Sequence, residues 1–215
     1  MSAPFPPGAN TVVRVVLALA AAGALLTATA GFVWVRTPFV TGQWEPVKQP
    51  VDFDHRHHVG DDGIDCAYCH AGAFTSPYAG VPPTQRCMNC HSQVWNRSGL
   101  TGKVREAYFS GRPIAWRRVN QLPEFVYFDH SIHVNKGVGC VTCHGRVDKM
   151  AAVMQDQPLN MQFCLGCHRD PYPNLRPLDR ITDMEWQPPP DPEFGRKIAA
   201  ALDVHPRTDC YTCHR

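Results

Sequence analysis

The sequence contains no run of basic residues. Its 21 Lys and Arg are scattered through 215 positions, which excludes the continuous positive surface of a nucleic-acid-binding protein and leaves no nucleic acid among the expected partners. Regular structure is also scarce in prospect, because 20 Pro and 16 Gly interrupt the chain and allow little beyond short helices. No cysteine is left over. All ten fall into C-x-x-C pairs, and every pair is followed at once by a histidine. Neither a disulfide framework nor a zinc ribbon calls for that histidine, so both leave the pattern unexplained.

The five copies are Cys66, Cys69 and His70; Cys87, Cys90 and His91; Cys140, Cys143 and His144; Cys164, Cys167 and His168; and Cys210, Cys213 and His214. C-x-x-C-H is the attachment signature of c-type haem. Residues three and four apart share one side of a helical turn, so two thiols reach the vinyl groups of one porphyrin while the following imidazole comes under its iron. The expected cofactors are five covalently bound haem c groups, tethered by the ten cysteines, with His70, His91, His144, His168 and His214 as proximal ligands. The porphyrins then supply much of the apolar interior, and the haem-free chain is not expected to fold. Haem propionates make the loaded protein more acidic than its formal charge of +2 suggests. Arg86, Arg97, Arg146, Arg169 and Arg215 are near enough in sequence to the motifs to pair with propionates, or they are solvated surface residues.

One stretch is apolar throughout. Residues 15–35 carry no charge, and 21 helical residues at about 1.5 Å each match a hydrocarbon core of ~30 Å. Arg14 and Arg36 bracket the stretch, and Trp34 sits where an interfacial aromatic belongs. It reads as a single-pass membrane anchor. A cleaved signal peptide is the alternative, since Ala28-Thr29-Ala30 resembles a cleavage site, although the apolar run continues past it. Haem is attached outside the cytoplasm, so the haem domain is expected on the periplasmic or outer side of the cytoplasmic membrane. Ala20, Ala24 and Ala28, with Gly23, Thr27 and Gly31, form small-residue stripes that admit a partner helix or simply face lipid.

Beyond the anchor the chain repeats itself. Phe53-Asp54-His55-Arg56-His57-His58-Val59 leads to Cys66, and 75 residues later Phe128-Asp129-His130-Ser131-Ile132-His133-Val134 leads to Cys140. Each copy continues to a second motif with Gln two positions before its first cysteine, Gln85 and Gln162. The chain therefore divides into an N-terminal segment and anchor (1–36), a linker with Pro38, Pro46 and Pro50 (37–51), a first dihaem module and connector (52–127), a second dihaem module (128–172), and a Pro-rich connector with the fifth motif (173–215). Short helices are expected at 102–110 and 193–202. Histidines three apart on one helical face can serve two neighbouring irons. The F-x-H-x-x-H element resembles that of the class III multihaem cytochromes c. The resemblance implies that His55 serves the haem on His70, His58 that on His91, His130 that on His144, and His133 that on His168. The fifth motif has no such element, and its sixth ligand stays open among His205, His57, the methionines Met150, Met154, Met161 and Met184, and a vacant position.

An N-terminal membrane helix followed by two F-x-H-x-x-H modules and a terminal fifth motif resembles the pentahaem subunit family of Alternative Complex III over essentially the whole chain. The resemblance implies a mainly irregular fold of short α-helices, with one transmembrane helix and a class III-like pentahaem cytochrome c domain. It implies an electron-transfer subunit, not an enzyme by itself, of a menaquinol-oxidising membrane complex. The implied partners are an iron–sulfur protein, polytopic quinol-binding subunits and a monohaem cytochrome c, with electrons passing to a periplasmic acceptor or oxidase. Two alternatives are a free-standing membrane-anchored quinol dehydrogenase and a multihaem enzyme such as a nitrite reductase. The former typically carries Met two residues after the first motif's histidine, where this chain has Gly72, and the latter often has Lys in place of a motif histidine. A haem subunit of a photosynthetic reaction centre would be expected to use methionine sixth ligands rather than paired histidines.

Overall fold

In a computed structural model of the chain, residues 6–214 are described. Among them there is no β-strand; an isolated antiparallel bridge joins Val138 to Leu175. The chain divides into one unit ending at Gln43 and another starting at Trp44.

The first unit is built on α1 (Ala9–Trp34), 26 residues with no buried side chain and a mean hydropathy of 2.0 over its most apolar window. At the α-helical rise it is about 39 Å long, enough to cross a bilayer. The helix begins earlier than the charge-free stretch, at Ala9, so Arg14 lies inside it. Thr27 Oγ1 donates to Gly23 O at 2.9 Å, which satisfies the hydroxyl within the helix. A single further turn, α2 (Pro38–Thr41), opens on proline and stops at Gly42, whose φ of 68° supplies the left-handed cap.

The second unit contains α3 (Cys66–Cys69), α4 (Thr84–His91), α5 (Gly102–Ser110), α6 (His130–Asn135), α7 (Cys140–His144), α8 (Met161–Arg169), α9 (Phe194–Ala201) and α10 (Cys210–Cys213). The helices expected at 102–110 and 193–202 are α5 and α9. Every C-x-x-C pair lies on a helix. In α3, α7 and α10 the motif is nearly the whole element, whereas in α4 and α8 it closes a longer helix. Side chains start several of these: Asp65 accepts from Ala67 N at 2.7 Å, and Asn160 accepts from Phe163 N at 2.9 Å. A lone helical turn is unfavourable in isolation, so α3, α7 and α10 depend on what is packed or bonded to them.

The polypeptide supplies little core of its own. Nine hydrophobic residues are buried among the described ones, and the one cluster they form joins Val51, Met88 and Val104, with Cys87, Ile114 and Trp116 against it. The linker is tied to this region. Gln49 exchanges two hydrogen bonds with the Arg117 backbone, both 2.8 Å, and Lys103 Nζ donates to Pro50 O at 2.8 Å. Trp44 N and Val47 N donate to Gln155 O and Val153 O, so residues 44–47 run along the chain between the third and fourth motifs.

Candidate haem-binding sites

Each F-x-H-x-x-H element folds its phenylalanine back over its own histidines. Phe53 stacks on His58 (4.3 Å, 23°) and meets His55 edge-on (4.7 Å, 82°). Phe128 does the same with His133 (4.4 Å, 29°) and His130 (4.8 Å, 86°). The aromatic side chain fixes the direction of two imidazoles at once, which the spacing alone does not do.

Those imidazoles face the motif histidines. The ring centres of His58 and His91 are 6.1 Å apart, those of His130 and His144 are 6.3 Å apart, and those of His133 and His168 are 6.0 Å apart. An imidazole nitrogen binds a metal at about 2 Å, so two imidazoles on opposite sides of one metal have ring centres roughly 6 Å apart. All three gaps fit an iron between two histidines. His55 is half-buried, with its Nδ1 buried and without a hydrogen-bond partner, and His70 and His58 lie near it.

The hydrogen bonds around these rings decide which nitrogen is free. The Nδ1–H groups of His58, His70, His91, His130, His133, His168 and His214 donate to the backbone carbonyls of Asp54, Gly80, Val94, Pro77, Asp129, Arg207 and Phe125, at 2.7 to 3.1 Å. A carbonyl only accepts, so the proton sits on Nδ1 and the Nε2 lone pair is left for a metal. His144 Nδ1 meets the Asn120 carboxamide at 3.0 Å, and the Asn120 Oδ1 is otherwise buried without a partner. Turned end for end, that carboxamide accepts the Nδ1 proton and both groups are satisfied. Sequence reasoning missed Asn120 and all seven carbonyls. Nothing in a side-chain pattern announces a backbone acceptor.

The two remaining histidines are used differently. His57 Nδ1 bonds the Asp61 carboxylate at 3.1 Å, and its ring lies 5.8 Å from Trp95. His205 has a side chain 81% exposed, and its Nε2, the nitrogen a ligand would need, bonds Asp203 at 2.7 Å. The ring beside His214 is that of Phe125, at 5.8 Å. Met150 is buried, Met161 is exposed, and Met184 lines a cleft of about 640 Å³ with Arg56, Ile64, Cys66, Asp148 and Thr182. Among the arginines considered for propionates, Arg146 is held by Asp148 and Glu185, and Arg86 lies over the Tyr68 ring at 4.6 Å. Arg215 lies outside the described residues.

Burial sets the protonation state of the site. It pushes His55 and His144 down to about 4 and lowers His133 as well, so these imidazoles are neutral and able to ligate at neutral pH. Burial raises the Cys143 thiol to about 11, and a hydrogen bond to Cys140 followed by burial raises Cys66, while the same hydrogen bond lowers Cys140. All ten cysteines are unpaired. Among the described residues no three His, Cys, Asp or Glu side chains converge as a metal site, so the C-x-x-C pairs do not assemble zinc tetrahedra. Paired imidazoles flanked by unpaired thiols suit a porphyrin instead.

Residues 126–215 match a family model described as cytochrome c7 and related cytochrome c. That segment holds Phe128, His130, His133 and the third, fourth and fifth motifs. Over 124 residues the chain is 32% identical to the menaquinone reductase multiheme cytochrome c subunit of Nitratidesulfovibrio vulgaris, covering 57% of this chain and 52% of that protein. The chain thus spans about half the length of that curated relative. From 126 to 215, a little under half of its length, the polypeptide is thus similar to cytochrome c7 and related cytochrome c.

Proposed function

We propose that the chain binds five haem c groups and serves as the electron-transfer subunit of a membrane-bound menaquinone/menaquinol oxidoreductase complex. The observation that carries this reading is the set of three imidazole pairs spaced about one metal apart, each uniting a motif histidine with a histidine of an F-x-H-x-x-H element. In it the cysteine pairs would tether the haems, and His70, His91, His144, His168 and His214 would each ligate the haem of their own motif. His55, His58, His130 and His133 would supply the second imidazole to the first four. Bound haem supplies reversible one-electron chemistry, tuned by its axial ligands and surroundings. The polypeptide fixes the imidazoles through Nδ1, keeps them neutral by burial, and spaces the attachment sites.

In this reading α1 is the membrane anchor, and the haem unit works on the periplasmic side with quinone-binding membrane subunits, an iron–sulfur protein and a monohaem cytochrome c. The relative's name specifies menaquinone reduction, whereas the Alternative Complex III resemblance implies menaquinol oxidation. One series of irons serves both directions, and the potentials of the partners decide between them. A free-standing quinol dehydrogenase with Met at position 72 is disfavoured here, because a Cβ on Gly72 meets Tyr78 O at 2.7 Å and Ala79 O at 2.8 Å. The test is purification from membranes in mild detergent with haem and subunit counting. Five haems per chain and co-purifying membrane subunits are expected. A lone chain that oxidises quinol by itself overturns the assignment to a complex.

A further inference from the structure

The attachment motifs are not joined in space in the order in which they are joined in sequence. The first and second are tied directly, since Asn89 Nδ2 of α4 donates to the Tyr68 hydroxyl of α3 at 3.0 Å, and one element carries both His55 and His58. The link to the third motif runs from the first. Ile181 O accepts from Cys140 N at 3.1 Å while the next residue, Thr182, donates to Asp65 Oδ2 at 2.6 Å, so one dipeptide grips the residues at the start of α7 and α3. Helix α6 also docks on the segment that follows His70. His130 Nδ1 donates to Pro77 O at 2.8 Å, Ser131 N to Ser76 O at 3.3 Å, and Asn135 Nδ2 to Phe74 O at 3.0 Å.

From there α6 unites the third and fourth motifs, facing His130 to His144 and His133 to His168. The fourth is joined to the fifth by His168 Nδ1, which donates to Arg207 O three residues before Cys210. The fifth motif also meets the chain just ahead of Phe128, where Tyr127 N donates to Cys213 O at 2.8 Å and His214 Nδ1 donates to Phe125 O. An independent feature picks out the ends of this path. Cys90 and Cys210, one in the second motif and one in the fifth, are exposed, and the other eight cysteines are half-buried. Exposed apolar side chains flank both: Val94 and Trp95 near the second motif, Tyr211 and Phe125 near the fifth.

We propose that the five motifs form one line in the order second, first, third, fourth, fifth, so that electrons enter and leave this chain beside Cys90 and Cys210. The inference rests on the five-haem electron-transfer reading and adds the order to it. At each end a docked one-electron carrier exchanges a single electron with the nearest iron; the donor is oxidised, the acceptor is reduced, and no bond is made or broken.

The test uses the full-length, haem-loaded protein in detergent, partly reduced and then mixed with a limiting oxidant while electron redistribution is followed by absorbance. The double variant Cys87→Ala and Cys90→Ala, which lacks the second haem, is expected to keep one fast phase over its four remaining haems. The double variant Cys66→Ala and Cys69→Ala, which lacks the first, is expected to strand the second haem and add a slow phase. The converse pattern, a stranded first haem when the second is lost, overturns the order. Loss of the third haem through Cys140→Ala and Cys143→Ala divides the line under either order. If redistribution survives that loss unchanged, the serial electron-transfer reading fails rather than the order. Should the variants not assemble, an electron-microscopy map of the loaded wild-type protein serves instead: the first iron is expected between the second and the third, and a second iron nearest the third overturns the proposal.

Discussion

Phe53 lies over His58 and Phe128 lies over His133 with nearly the same separation and tilt, yet the backbones beneath them differ. In the second module His130–Asn135 is an α-helix, and Asp129 caps it by accepting from Ile132 N at 3.3 Å. In the first module Arg56–Asp61 is a π-helix, and Asp54 is taken by the Arg56 guanidinium and backbone N–H, which holds its carboxyl down to about 2. The first module has one more residue between its second histidine and its first cysteine. A π turn absorbs a single inserted residue without moving what precedes it, so the ring geometry survives the insertion. What the two modules share is the placement of the imidazoles, and what they vary is the backbone route to Cys66 or Cys140.

That comparison can be broken most severely at the ligands. His58→Ala and His133→Ala are each expected to remove one facing imidazole and convert one low-spin iron per chain to high spin, by the same amount in both modules, read by electron paramagnetic resonance. Unequal losses would mean that the modules are not equivalent. Acid gives the next largest effect. His55 and His144 have folded values near 4 against 6.5 for an ordinary histidine, so the unfolded chain takes up their protons first as pH falls. Stability is therefore expected to decline from about pH 6.5 toward pH 4 and to be regained as pH rises, with the first and third haem signals changing together in a melting series.

Replacing the phenylalanines sharpens the comparison further. Phe53→Leu and Phe128→Leu each lose one stacked and one edge-on contact and are expected to cost about 1 kcal/mol apiece in thermal or denaturant unfolding. The aspartates should separate the modules. Asp129→Ala removes a helix cap and is expected to cost about 1 kcal/mol, whereas Asp54→Ala frees an exposed arginine and is expected to change stability by close to nothing. Smallest of all, deleting Gly60 together with Arg56→Ser gives the first module the spacing of the second, and the low-spin spectrum is expected to stay as it was. A new high-spin signal would show that the π turn does more than absorb one residue.

Much of the local structure around the motifs was legible in advance because the motifs are residues at fixed local spacing. Cysteine, cysteine and histidine within one turn, and histidines three apart behind a phenylalanine, are short-range patterns, and α3, α4, α7, α8, α10 and α6 all follow from them. The first module's π turn was less visible, since its cause is one extra residue and a competition between Arg56 and the helix for Asp54. His205 illustrates the limit. By position it was a ligand candidate for the fifth haem, but its Nε2 is engaged by Asp203, two residues away, and its ring is turned to solvent.

The sequence by itself determined the five C-x-x-C-H motifs, the apolar helix and the duplication, because motif spacing, hydropathy and helical rise all act over a few residues. Only the tertiary structure decided which carbonyl holds each Nδ1 proton, which imidazoles face one another, and that the first motif rather than the second abuts the third. Those depend on Pro77, Arg207, Ile181 and Thr182 being brought to distant motifs by chain closure, and a backbone carbonyl or a bridging dipeptide has no signature until the fold puts it against its partner.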